Sequence, residues 1–273
     1  MLEDTLQREG SGIRSKYNIQ YWTPAGALFG VPYYAEKLEK IRQERNVDGH
    51  FKYNLIKIDV NQKVATFQNV DTNKVVTQKY DLLHVAPHMS APDFLKKSKL
   101  VNDSGFVEVN QETLQSTKYS NVFGIGDCCS RPNSKTAAAI TSQAPVLVHN
   151  LKQLIDGKNK ILDGKYNGYA SCPLILGKNQ VLLAEFGYGG KIMETFSRET
   201  GKFPYNLVGT EGYMQRRFFY FLKEQFFPFA YWKLWVRGYW YGTHGPFKPS
   251  IETLTGSGNG SSGNGSSGTS SKK

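Results

Sequence analysis

The residues most able to do chemistry lie in 121–140, NVFGIGDCCSRPNSKTAAAI. Small and apolar side chains lead into Gly124-Ile125-Gly126-Asp127, followed by a loop and an alanine run. Glycines at a strand end let backbone approach a flat or phosphorylated ligand. Asp127 places a carboxylate where a sugar hydroxyl could donate to it. A helix starting near Ser134 would aim free N–H groups at an anion or an electron-rich ring. Gly-x-Gly-Asp also closes ordinary turns, so the pattern leaves both readings open. Lys135 reads on its own as a solvated lysine at a helix start.

Three cysteines are too few for a disulfide framework. Cys172, in Ser-Cys-Pro-Leu, reads by itself as a small buried hydrophobe. Cys128 and Cys129 are adjacent, so a bond between them would be strained. They lack CxxC spacing, no histidine cluster completes a zinc site, and both read as structural. His84 and His88 read as loop or sheet residues, because Pro87 forbids the helix that would pair them.

The elements that must hold these residues are of mixed α/β type. Tyr17–Trp22 is an expected strand. Residues 31–46 have helical spacing, with Tyr34, Leu38 and Ile41 on one face. Phe51–Val60, Lys63–Asn69 and Lys74–Tyr80 read as a β-meander, with a turn at Asp71. Leu82–Ala86 reads as a buried strand ending at Pro87, and Phe106–Val109 and Val122–Ile125 as further short strands. Residues 134–156 read as a helix with Ser134 as N-cap, kinked or divided by Pro145. Val181–Phe186 reads as a strand and Gly187–Gly190 as a turn. Residues 256–271 hold only Gly, Ser, Asn and Thr and read as a flexible tail.

The 273 residues are 39% hydrophobic, which excludes a disordered chain. Thirty-four Lys and Arg against 23 Asp and Glu give +11, which favours anionic partners. No run reaches the length of a spanning helix. The first ten residues lack an apolar stretch and carry acids, so they read as neither a secretory signal nor a mitochondrial presequence. Residues 213–242 hold 14 of the 36 aromatics, interleaved with Arg216, Arg217, Lys223, Lys233 and Arg237. Two short helices broken near Pro228 are expected, with Phe218, Phe221, Leu222, Tyr231, Leu234 and Trp235 on their apolar faces. Such faces suit the headgroup layer of an anionic membrane. An aromatic core pair is the plainer alternative. No nucleic-acid partner is expected, since no RNA-binding motif accompanies the aromatics.

NVFGIGDC followed by SKTAAA resembles the second flavin-contact motif of two-dinucleotide-domain flavoproteins. YNGYASCPLILGKNQVLLAEF (166–186), GALFGVPYYAEKLEKIRQERN (26–46), YDLLHVAPHMSAPD (80–93) and RGYWYG (237–242) resemble the eukaryotic sulfide:quinone oxidoreductases in particular. The resemblance runs from about residue 10 to about 250. It implies a partial two-dinucleotide-domain fold. Residues 1–110 would form the second, NAD-type domain with its meander, and 111–200 the end of the FAD domain. Residues 201–250 would form a membrane-binding segment and 251–273 a tail. It further implies FAD contacts at Gly126, Asp127 and Lys135, with Lys135 near the flavin pyrimidine oxygen, and a redox role for Cys172. In that chemistry sulfide opens a cysteine pair and leaves a persulfide. The other thiolate reduces FAD, and electrons pass to ubiquinone. The sulfur then goes to an acceptor such as glutathione or sulfite. The implied setting is the mitochondrial inner membrane, peripherally bound.

The family also uses a G-x-G-x-x-G cradle for the FAD pyrophosphate and a second redox cysteine upstream. Residues 1–250 hold no such cradle, and no cysteine precedes Cys128. The chain is therefore expected to be a C-terminal portion that does not turn over alone. A membrane-bound, non-catalytic protein or a split half is the alternative. A type II NADH:quinone dehydrogenase is disfavoured, because Gly26–Gly30 is no NAD fingerprint and Cys172 would have no task there.

Overall fold

The computed structural model describes residues 2–10, 12–87, 89–157, 162–195, 214–215 and 218–256. A short helix α1 (Leu2–Arg8) precedes strand β1 (Ile19–Thr23), helix α2 (Pro32–Glu44) and strand β2 (Val47–Phe51). β1 and β2 pair in parallel, Ile19 opposite Val47, so this stretch is one βαβ unit. Pro32 sits in the first turn of α2, where its missing N–H costs nothing.

A three-stranded antiparallel meander follows: β3 (Tyr53–Asp59), β4 (Val64–Asn69) and β5 (Val75–Lys79). The expected single strand over 51–60 is split, because Lys52 takes φ +63° and turns the chain between β2 and β3. Trp22 joins the two sheets. Its ring stacks between His50 (3.8 Å) and Phe67 (4.1 Å).

Residues 82–86 form no strand. They pair with no element among the described residues, and Leu82 stands 77% exposed. A buried strand needs partners on its edges and cover on its faces, and this segment has neither here. A single turn, α3 (Asp93–Lys96), leads into irregular chain. There, the expected strands near 106–109 and 122–125 reduce to isolated bridges, Val107 with Cys129 and Gln115 with Phe123 among them.

Helix α4 spans Ala137–Asp156. Its N-cap is Thr136, whose hydroxyl accepts the Ala139 N–H at 3.1 Å; Ser134 lies two residues too early. Pro145 does not divide it. The buried face holds Ala139, Gln143, Val146 and Asn150. Asn150 is fully buried and ties down two loops, donating to Thr113 O (2.9 Å) and Gly164 O (3.0 Å) and accepting from Gly164 N–H (2.8 Å).

Strands β6 (Ala170–Gly177) and β7 (Gln180–Phe186) form an antiparallel hairpin, with β8 (Met214–Gln215) on the far side of β7. One hairpin face packs with α2 and the first turn of α4, burying Tyr34, Ala139, Leu182 and Ala184, with Leu38 and Ile41 alongside. The Tyr34 hydroxyl donates to Glu185 O (2.9 Å) and accepts the Glu185 N–H (3.1 Å). The other face buries Phe219 against Val181 and Leu183.

The C-terminal helix α5 runs through 218–233 without the break expected at Pro228. An α-helical turn (Phe218–Phe221) passes into a π-helical segment (Leu222–Phe226) and then an α-helix (Phe227–Lys233). The wider π turn directly before Pro228 gives its ring room, so the helix continues. A last helix, α6 (Ile251–Thr255), is capped by Ser250 and ends at Gly256. Arg216, Arg217, His88 and the tail from 257 onward lie outside the described residues.

Candidate functional site

The glycine motif folds into one tight turn, Gly126–Cys128, placed between irregular chain and the start of α4. Gly126 takes φ +71°, which a side chain would strain. Gly124 must be glycine for space, because a Cβ there would lie 2.6 Å from Cys129 Sγ. The Gly126 N–H donates to Gln143 Oε1 at 2.9 Å, and its carbonyl accepts from Arg131 Nη2 at 3.1 Å. Gln143 is 1% exposed, so helix α4 fixes the turn through a buried side chain.

Lys135 braces the same turn. Its ammonium donates to Asp127 O (2.8 Å) and Cys129 O (2.5 Å) and lies 4.1 Å from the centre of the Phe106 ring. Partial burial holds its pKa below the ordinary lysine value. Asp127 is exposed, and its carboxylate accepts no hydrogen bond among the described residues. The N–H groups of Ala137 and Ala138, in the first turn of α4, have no intrahelical partner. The lysine ammonium thus sits on the glycine turn, with the exposed Asp127 in that turn and the first N–H groups of α4 two and three residues further along the chain.

Cys172 stands on β6 opposite Ala184. It packs against the cluster that contains Ala139, so the hairpin carries it to the same end of α4. Burial raises its pKa, and the Lys223 ammonium from α5 opposes that rise. On the same hairpin, Glu185 is 4% exposed. It accepts from Tyr169 Oη (2.6 Å), Thr195 Oγ1 (2.8 Å) and Thr195 N–H (2.8 Å), yet burial still raises its pKa.

The sequence motif contained the turn, Asp127 and Lys135, but neither Gln143 nor Arg131 stood out in it. The signal for Gln143 was its place four residues after Ala139, on the apolar face of α4. No group of three or more His, Cys, Asp or Glu side chains able to hold a metal occurs among the described residues. The expected aromatic segment is partly in view: Phe221, Phe229, Tyr231, Trp232, Val236 and Tyr239 are exposed, while Phe219 anchors the helix. No described helix is long and apolar enough to cross a membrane.

This mixed α/β fold is also found in a solved structure of the sulfide:quinone oxidoreductase from Aquifex aeolicus. The match has a TM-score of 0.63 at 16% identity, over 85% of this chain and 53% of that one. A chain in the mitochondrial ATP synthase structure of Tetrahymena thermophila also shares the fold, with a TM-score of 0.59 at 24% identity, over 67% of this chain and 44% of that one. The sequence relatives are more specific. The mitochondrial sulfide:quinone oxidoreductase of Schizosaccharomyces pombe is 43% identical over 252 residues, 91% of this chain and 52% of that protein. The mouse enzyme is 41% identical over 233 residues, 85% of this chain and 49% of that protein. The Dictyostelium discoideum enzyme is 39% identical over 251 residues, 91% and 51%. The chain thus spans about half the length of the curated relatives it matches. No protein-family profile matches it. The resemblance read from the motifs holds: the chain is similar to sulfide:quinone oxidoreductases, which are oxidoreductases, along almost its whole length.

Proposed function

We propose that this chain is the C-terminal portion of an FAD-dependent sulfide:quinone oxidoreductase, bound peripherally to the mitochondrial inner membrane. The 43% identity over 252 residues to such an enzyme carries the reading. In it, residues 1–110 are the second dinucleotide-type domain, 111–200 the end of the FAD domain, 201–250 the membrane-facing segment and 251–273 a tail. The bare flank of Leu82 and Val85 fits a chain whose relatives have as much length again to pack against it.

The donor set at the turn suits a flavin. Gly126 lets the chain turn at φ +71°, Asp127 offers an acceptor to a ribityl hydroxyl, and the N–H groups of Ala137 and Ala138 suit the electron-rich pyrimidine edge. The Lys135 ammonium, steadied on two carbonyls, adds positive charge beside that edge. When bound, FAD supplies two-electron transfer between thiol and quinone. Cys172 is the sulfur carrier. Sulfide attacks its disulfide with a second cysteine from the rest of the enzyme, leaving a persulfide on one sulfur and a thiolate on the other. A thiol or sulfite acceptor then takes the persulfide sulfur. The exposed aromatics of α5 face the bilayer, where the quinone dissolves.

Flavin spectroscopy tests this on the chain alone and on the chain fused behind the amino-terminal portion of the S. pombe relative. The chain alone should turn over no sulfide. The fusion should hold flavin, bleach with sulfide and recover with a short-chain ubiquinone. In the fusion, Cys172→Ser should keep the flavin and lose the bleaching. A fusion whose flavin ignores sulfide overturns the reading, and one that holds no flavin favours a non-catalytic membrane protein.

A further inference from the structure

Cys128 and Cys129 have no part in the chemistry above; Cys129 lies in an apolar cluster with Ala91, Leu95, Val107 and Val109, and Cys128 packs against it, but the two thiols also face each other. Their sulfurs lie 3.6 Å apart, and the Cys128 thiol donates to Ile125 O (3.1 Å), a bond given up when it ionises. The two differ in access: Cys128 is partly exposed and Cys129 is 1% exposed. Two cations border them. Lys135 is fixed on the Cys129 carbonyl, and Arg131 is fixed on the Gly126 carbonyl. Arg131 also lies 5.5 Å from the centre of the Tyr166 ring, and its Nε and Nη1 are buried without a hydrogen-bond partner among the described residues.

We propose that Cys128 and Cys129 are a redox-active dithiol that closes to a vicinal disulfide by exchange with a low-molecular-weight disulfide. The Cys128 thiolate attacks one sulfur of the small disulfide, whose S–S bond breaks and releases one thiolate. Cys129 then gives up its proton, and its sulfur attacks Cys128 Sγ, expelling the second thiolate. Two protein thiols are oxidised, and one small disulfide is reduced to two thiols.

The site divides these roles between the residues. The neighbouring Cys129 thiol, with Lys135 and Arg131 close by, lowers the Cys128 pKa, so Cys128 is the thiol that ionises first. The Cys128 contact and deep burial push Cys129 up, leaving it the resolving thiol. Adjacent Cα atoms are about 3.8 Å apart, below the usual range for a disulfide, so the ring is strained and readily reduced again. The chemistry stands whether or not the turn holds a flavin.

The test uses the full chain carrying Cys172→Ser, so that only these two thiols remain. It is incubated with oxidised glutathione, and intact mass and peptide mapping follow the products. The expected product has lost two hydrogens, keeps no glutathione and maps the link to Cys128–Cys129. Adding Cys129→Ala should trap one glutathione on Cys128. Adding Cys128→Ala should slow any reaction about tenfold or more. A parent that stays reduced, or that keeps glutathione, overturns the proposal, as does a Cys128→Ala variant that reacts as fast as its parent. If a variant misfolds, the parent's product still decides.

Discussion

Lys135 shows how a single side chain can be at once structural and poised for chemistry. Its ammonium holds the carbonyls on both sides of Cys128, so it sets the turn before any ligand arrives. Lys135→Met should lose about 1.5–3 kcal/mol in urea denaturation, the usual value of hydrogen bonds to a charged group. Glu185 gives a pH signature. Burial holds its folded pKa above the ordinary 4.5, so the fold favours the protonated acid. Its contribution is full below the unfolded value and is lost as pH rises through the folded one. The Glu185 share of stability should therefore fall from acid toward neutral pH, against the opposite share of Asp4, Glu39 and Asp163, and Glu185→Gln should remove it in denaturation curves across the range. Both residues were visible in the sequence, but only Lys135 sat in a motif. Glu185 lies within the strand expected over Val181–Phe186, where nothing singled it out, and Tyr169 and Thr195 bond to its buried carboxylate.

Among the elements, legibility followed how locally each one is determined. Helix α2 and the meander were readable, because their apolar spacing and turn residues decide them. Residues 82–86 were misread, because an apolar run states a wish for burial and says nothing of whether a partner is present. Pro228 misled for the opposite reason: a π turn absorbed a residue that usually breaks helices. Helix α4 is the element on which the site depends most. Gln143 was hidden because a glutamine in a helix usually faces water; here its amide oxygen takes the Gly126 N–H. Gln143→Leu leaves that N–H buried and unpaired and should cost about 1–3 kcal/mol. Amide exchange at Gly126 should quicken with it, while exchange in the β6–β7 hairpin should stay near that of the parent.

For the whole molecule, the surplus of cations and the exposed aromatics of the C-terminal segment belong together. Trp232 is 65% exposed and Phe229 57%, on a helix anchored from beneath by Phe219. The chain should bind vesicles containing acidic lipid and release them at high salt. Phe229→Ala with Trp232→Ala should weaken partitioning on the order of tenfold or more, from the apolar area withdrawn. Equal binding to neutral vesicles, or no change in the double variant, would count against the membrane role. The sequence made this segment conspicuous by composition but could not say which rings face outward. Phe219, absent from the expected apolar faces, is the ring that turns inward onto the sheet.

The bond between Tyr34 and Glu185 joins residues 151 positions apart. Helix α2 therefore leaves the ribosome well before the hairpin that covers its apolar face. At ordinary elongation rates that interval is about 8–30 s. Throughout it, the βαβ unit stands with Tyr34, Leu38 and Ile41 bare to the surroundings. That helix face finds its cover only once β7 has been made.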